Sequence, residues 1–199
     1  MYTRLLTFTG ATDIDGGLTY LREEAMPILT TQHGYRGVSA SADRAGALFS
    51  IISLWDTEAD RSASNSALGK ARHEALAVVG GEMTLETYEL VAQAVSRPPV
   101  PGCTLIATRV SMDPSSVDDN ITFFKEQVLG QIQAQPGFCA VRNMIDRATG
   151  QGLVGTVWED AEAVSGFVAG TEERRAPGIA RGITFGETSI REILLSEIV

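Results

Sequence analysis

The sequence predicts an α+β protein built from two tandem copies of one βαββαβ unit, and three observations predict it. The first is an internal repeat: an offset of 103 residues lays Gly34-Tyr35 on Gly137-Phe138, Val38 on Val141, Asp43-Arg44-Ala45 on Asp146-Arg147-Ala148 and Trp55 on Trp158, without a gap. Both tryptophans of the chain are accounted for, and self-similarity at a fixed offset is the mark of duplication. Toward the end the offset drifts, Glu82 meeting Glu187. The second observation is the stretch Ser96-Arg97-Pro98-Pro99-Val100-Pro101-Gly102, whose three prolines hold the chain extended and remove backbone donors. The third is the order of apolar patterns, the same in each copy. The predicted units are therefore residues 1–95 and 103–199, joined by a linker at 96–102.

In the first copy residues 3 to 10 are rich in β-formers. Residues 16 to 32 carry Leu18, Leu21, Ala25, Ile28 and Leu29 at helical spacing behind the capping candidates Asp13 and Asp15, with Pro27 placed to kink or shorten the helix. The second copy has a cleaner helix start at Asp113-Pro114, followed by Val117, Ile121, Phe124 and Val128. Next come two extended runs, Tyr35 to Ser41 and Leu48 to Trp55, around the turn Asp43-Arg44-Ala45-Gly46; Phe138 to Ile145 and Leu153 to Trp158 repeat them around residues 146 to 150. Residues 57 to 80 and 160 to 181 are weakly helical, with breaks expected at Asn65-Ser66 and Pro177-Gly178. Thr84 to Ala92 and Thr188 to Leu195 close the units.

This order with a central hairpin is the ferredoxin-like split, in which both helices cover one face of a four-stranded antiparallel sheet. The runs Phe49 to Leu54 and Gly152 to Val157 lack clean alternation, so both sheet faces should be covered, the second by the sheet of the other copy. The first strand should lie beside the third and fourth. Cys103 and Cys139 then fall on non-adjacent strands and are expected as buried thiols that no disulfide joins.

Composition narrows the function classes. With 44% hydrophobic and 21% charged residues the chain can bury a core. A formal charge of −9 offers phosphate backbones little, which argues against nucleic acid and anionic membrane surfaces as partners. No run of ~18 apolar residues occurs, so a soluble cytoplasmic protein is expected. The chain contains no P-loop, GxSxG elbow or HxxxH pair.

The motifs Pro136-Gly137-Phe138 and His33-Gly34-Tyr35, with Trp55-Asp56 and Trp158-Glu159 leading into acidic helix starts, resemble the dimeric α+β barrel superfamily, in particular its antibiotic-biosynthesis-monooxygenase-like proteins. The resemblance covers nearly all of both copies. It implies two ferredoxin-like units forming an intramolecular dimeric α+β barrel, with a ligand pocket in each half between sheet and helices. It also implies a small apolar or aromatic ligand, and either cofactor-independent monooxygenase activity or, alternatively, haem binding or degradation. A non-enzymatic binding or assembly module, and a homo-oligomer of the fused barrel, are further expectations.

Seven residues are candidates for the site. His73 lies where haem-degrading relatives carry an iron-ligating histidine, although neither first strand has the asparagine those relatives use; an exposed or capping helix histidine is the plainer reading. His33 is a candidate base by its mid-range pKa, or simply a cation suited to a helix C-terminus. Tyr20, Tyr35, Arg36, Trp55 and Trp158 are candidate substrate contacts, the aromatics otherwise being core. No metal site and no cofactor other than haem is expected. Because His33, Tyr35 and His73 face Pro136, Phe138 and Ala176, polar chemistry is expected in the first half. Glu23-Glu24, Asp118-Asp119 and Glu172-Glu173-Arg174-Arg175 read as solvated helix charge.

Overall fold

The computed structural model describes residues 1–198. In the first copy, β1 (Tyr2–Thr9) leads to α1 (Ile14–Tyr20), whose N-cap Asp13 accepts a hydrogen bond from the Gly16 amide at 2.8 Å. A π-turn (Leu21–Ala25) and α2 (Met26–Leu29) continue the same helical path. The second copy repeats this after β5 (Thr104–Ser111): Asp113 caps a short 3-10 turn, then α5 (Val117–Phe123), a π-turn (Phe124–Val128) and α6 (Leu129–Gln133). The two π-turns sit at the repeat offset, yet Pro27 has Gly130 as its counterpart, so proline is not what widens the helix.

The hairpins form as read. β2 (Tyr35–Asp43) and β3 (Leu48–Trp55) pair antiparallel, as do β6 (Phe138–Ile145) and β7 (Gln151–Trp158). Asp43 and Asp146 hold their turns by accepting backbone bonds from Gly46 and Ala148, both at 2.9 Å. Gly34 and Gly137, which precede β2 and β6, have φ of +72° and +73°, and a Cβ there would come within 2.5 Å of Asp60 or 2.4 Å of Ala163. Only glycine suits that corner.

Thr57 and Asp160 cap α3 (Glu58–Ala63) and α7 (Ala161–Ala169). The first helical region breaks at Ser64, next to the expected site, before α4 (Asn65–Val79). The second breaks at Gly170, not at Pro177-Gly178, and α8 (Thr171–Ala180) carries Pro177 inside it. Gly170 ends α7 readily, and the Arg174 guanidinium donates to the Phe167 carbonyl that this end leaves open.

β4 (Glu82–Val95) and β8 (Thr184–Ile198) are longer than their apolar patterns suggest. By packing, the chain forms two compact units: Met1–Thr87 with the segment from Ile193 onward, and Tyr88–Glu192. The divisions fall inside β4 and β8, not at the prolines. In the first unit β1 pairs with β3, and β3 with β2; in the second, β8 pairs with β5, β5 with β7, β7 with β6, and β6 with residues 89 to 95 of β4. In the second unit the order β8-β5-β7-β6 is the ferredoxin-like one, and β1-β3-β2 repeats its first-third-second part in the first unit.

The first unit's core lies between sheet and helices, where Phe8, Val38, Phe49, Trp55 and Val79 are fully buried; each such side chain contributes roughly 1.5–3 kcal/mol. The opposite face of that sheet is also buried, at Thr3, Leu5, Ser41, Ser50 and Leu54. Covered faces explain the missing alternation. Cys103, just before β5, and Cys139, on β6, are free and buried, with β7 between those two strands; burial and the neighbouring Cys103 thiol push the Cys139 pKa up.

Candidate functional site

The second unit holds a cavity of about 330 Å³ between its sheet and its helices. Its walls are mainly apolar and aromatic, among them Ile106, Phe123, Phe124, Phe167 and Phe185. Such a volume lies at the small end of ligand pockets. No Asp, Glu or His lines it.

The floor is one cross-strand row. Thr188 on β8 stands opposite Thr108 on β5, Thr108 opposite Val154 on β7, and Val154 opposite Asn143 on β6; all four line the cavity. Opposed residues on adjacent strands share a face, which is why the row points one way. Asn143 is 5% exposed, and its Oδ1 has no hydrogen-bond partner. Asn120, on α5, is 4% exposed and likewise has an unpartnered Oδ1. Its amide orientation is fixed by a chain: Ser116 Oγ donates to the Asp113 carbonyl, so it can only accept from Asn120 Nδ2, at 3.2 Å. Two buried amide oxygens thus meet apolar space, where an unmade hydrogen bond is costly.

Two half-buried guanidinium groups also line the cavity, that of Arg175 at the other end of the row. Arg175 donates to Thr108 Oγ1 at 3.3 Å and Thr188 Oγ1 at 3.1 Å, with its Cζ 4.8 Å from the Phe185 ring centroid. Arg174 lies 4.0 Å from the Phe167 centroid and donates to Thr171. Desolvation by burial lowers the pKa of both. They are not solvated helix charge, the reading their acidic neighbours suggest: α8 turns Glu172 and Glu173 outward and both arginines toward the cavity.

A pocket in the first unit measures about 50 Å³ and is lined by Arg4, Tyr20 and Arg72 among apolar residues. The repeat explains the difference. Asn143, Val154 and Thr108 correspond through the strand pairing to Ala40, Ile51 and Leu6, all core residues. Gly152 corresponds to Phe49, and Asn120 to Gly17, where a Cβ would come within 3.2 Å of that ring. Phe49 thus adds a fully buried ring to the first unit's core where the second has Gly152.

The sequence candidates are placed as follows. Tyr20 lines the small pocket and donates from its hydroxyl to Glu74 Oε2 at 2.9 Å; burial, then Glu74, pushes its pKa up to about 12. His73 lies on the exposed side of α4 and lines neither pocket. His33 has a 95% exposed side chain, with Nδ1 2.7 Å from Asp60 Oδ1. Arg36 makes a two-pronged pair with Asp56, both bonds 2.7 Å. Trp55 and Trp158 are fully buried, their indole N–H groups donating to Ser53 and Thr156, with Tyr35 and Phe138 edge-on at 5.8 and 5.9 Å. Trp158 also touches the cavity wall through Phe167, 4.4 Å away. The structure does not bring these seven residues to one place. An exposed His73 beside a 50 Å³ pocket does not fit haem, and the larger cavity has neither histidine nor cysteine in its lining.

Asn120, Asn143, Arg174 and Arg175 were missed by sequence reasoning. For the two asparagines the signal was the repeat itself: aligning the copies shows Gly17 and Ala40 replaced by Asn120 and Asn143, a swap of packing residues for polar groups.

Comparison with known proteins agrees with this architecture. No family model matches the chain. An uncharacterized protein of Mycobacterium tuberculosis (strain ATCC 25618 / H37Rv), Rv2557, is 28% identical over 165 residues, covering 82% of this chain and 74% of its own. Among solved structures, an anthrone oxidase-like protein superposes with a TM-score of 0.71 at 14% identity, over 99% of this chain and 92% of its own. An uncharacterized ferredoxin-fold protein from Listeria monocytogenes 4b F2365, described as related to antibiotic biosynthesis monooxygenases, gives 0.53 at 11%, over 96% and 93%. The fold is that of the dimeric α+β barrel proteins related to antibiotic biosynthesis monooxygenases. No helix among the described residues is long and apolar enough to cross a membrane.

Proposed function

We propose that the cavity of the second unit binds an aromatic small molecule and that the protein is a cofactor-independent monooxygenase acting on it. The observation that carries this reading is a 330 Å³ aromatic-lined space with two arginines and no carboxylate in its wall. A phenol or enol bound beside Arg174 and Arg175 has its anion stabilised. Such an electron-rich anion reduces O₂ itself, and the protein's part is to bind, orient and keep water from the reacting carbon. For a ring methylene the balance is CH₂ + O₂ → C=O + H₂O. The likeness to an anthrone oxidase-like protein points the same way.

We also infer that residues 1–95 and 103–199 are the products of one duplication, with 96–102 as the joint. The first copy then supplies the fold and its filled core, and the second the site.

Oxygen uptake with anthrone as probe is the test. Uptake of one O₂ per anthrone, above the uncatalysed rate and reduced at least tenfold in Arg174→Gln/Arg175→Gln, is expected. Binding of anthrone without any uptake would make the protein a non-enzymatic binding module instead.

A further inference from the structure

The strand pairing of the two copies puts Arg4 in the place of Ile106, for Arg4 stands opposite Ser53 and Ile106 opposite Thr156, its counterpart in the repeat. The helix caps put Arg61 in the place of Val164, the two lying equally far beyond Thr57 and Asp160. All four are buried: the arginines are 3% and 8% exposed, the apolar pair 5% and 6%. The first copy thus holds two buried cations where its twin has ordinary core. A buried cation without an anionic partner is costly, so the exchange calls for a reason.

Arg4 meets only neutral acceptors. It donates to Ser64 Oγ at 3.0 Å, to Asn65 Oδ1 at 2.9 Å and to the Arg61 carbonyl, and its Cζ lies 5.5 Å from the Trp55 ring centroid. These bonds tie β1 to the break between α3 and α4. Three buried guanidinium nitrogens nevertheless have no partner: Nε of Arg4, Nε of Arg61 and Nη1 of Arg72. Glu58 pairs with Arg61 at 3.0 Å, whereas neither Arg4 nor Arg72 has a carboxylate partner among the described residues. Burial, then the charges of Arg72 and Arg61, push the Arg4 pKa down to about 10, which still leaves a cation at neutral pH.

Arg4 and Arg72 line the same pocket of about 50 Å³, together with Ser53, whose hydroxyl accepts from Trp55 at 3.0 Å and keeps its own proton to give. No acidic residue lines this pocket, and Tyr20 gives its proton to Glu74. A water's share of liquid volume is ~30 Å³, so the space suits one small ion and no ring. We propose that the pocket is a binding site for a halide-sized monovalent anion, held by Arg4 and Arg72 with the Ser53 hydroxyl. The bound ion neutralises cations that the fold otherwise buries unpaired, and it fastens the break between α3 and α4 to β1. Nothing in this depends on what the cavity of the second unit binds.

The test is halide-specific stabilisation of the full-length protein, together with the position of bromide in its crystals. As sodium chloride or bromide replaces sodium gluconate at a constant total of about 0.2 M, Tm should rise by at least about 3 °C, because an ion held only by the folded state shifts unfolding by mass action. Arg4→Ile, which installs the residue of the second copy, should shrink that rise below about 1 °C, and Arg72→Met should cut it by about half or more. In bromide-soaked crystals of the unaltered protein the anomalous signal should fall between the Arg4 and Arg72 guanidinium groups. The same Tm in chloride and gluconate, or bromide at surface sites only, overturns the proposal and leaves the pocket to water. Should Arg4→Ile not fold, Arg72→Met and the bromide position decide.

Discussion

Replacing Asn143 by leucine should make the protein more stable. Asn143 sits on β6 with 5% of its surface exposed, and its Oδ1 has no partner. A buried amide acceptor left unpaired costs about 1–3 kcal/mol, and leucine keeps asparagine's branched skeleton, the adjoining cavity taking up its larger volume while apolar surface is added beside Val154 and Ile145. Taking about 1–2 kcal/mol as the gain, and about 2–4 °C per kcal/mol for a chain of this size, Tm should rise by roughly 2–8 °C. Scanning calorimetry on both proteins, with urea midpoints as a second measure, reads this directly. A fall in Tm would refute the reasoning, for it would mean that the amide is satisfied and that its burial helps the fold. Asn120→Leu should gain less, because it also breaks the bond to Ser116.

Three further outcomes follow from the geometry. Gly137→Ala should cost at least about 2 kcal/mol, from left-handed strain and the 2.4 Å approach to Ala163, measured as a shift in urea midpoint; a neutral result would mean the corner relaxes. The Asp60 hydrogen bond raises the His33 pKa above 6.5, so its contribution to stability is full below the unfolded value and is lost as pH rises through the folded one; an NMR titration should show the raised midpoint, and Asp60→Asn should abolish it. Arg147→Met, which removes exposed pairs to Glu89 and Asp118, should cost less than about 1 kcal/mol and lose that effect in 1 M salt, a prediction that a salt-independent loss would defeat.

The architecture was legible because repetition is a property of sequence. The tryptophans, the Asp-Arg-Ala turns and the Gly-aromatic corners each mark a backbone requirement, and the structure puts them at equivalent places. Even ion pairs repeat: Arg44 with Asp15 is matched by Arg147 with Asp118. Helix breaks were harder. Pro177 reads as a terminator, but helix ends are decided by which carbonyls find donors, and Arg174 supplies one seven residues back. The site was least legible, since histidines and tryptophans draw attention by chemical type. His73 points to solvent and Trp55 to core, while the cavity of the second unit is lined by asparagines, threonines and arginines that stand out in no motif.

One substitution between the copies changes the standing of the proline segment. Cys139 takes the place of Arg36, so Glu159, the counterpart of Asp56, would lack a guanidinium; Arg97 provides it, with two bonds of 2.8 Å, and the amides of Ser96 and Arg97 both donate to the Cys139 carbonyl. What looks like a spacer is a fitted part of the downstream half. A fragment begun at Cys103 would forfeit that clasp and also the end of β4, leaving the outer edge of β6 bare and open to pairing with other molecules. A cut at the prolines thus runs through a fitted part of the second unit.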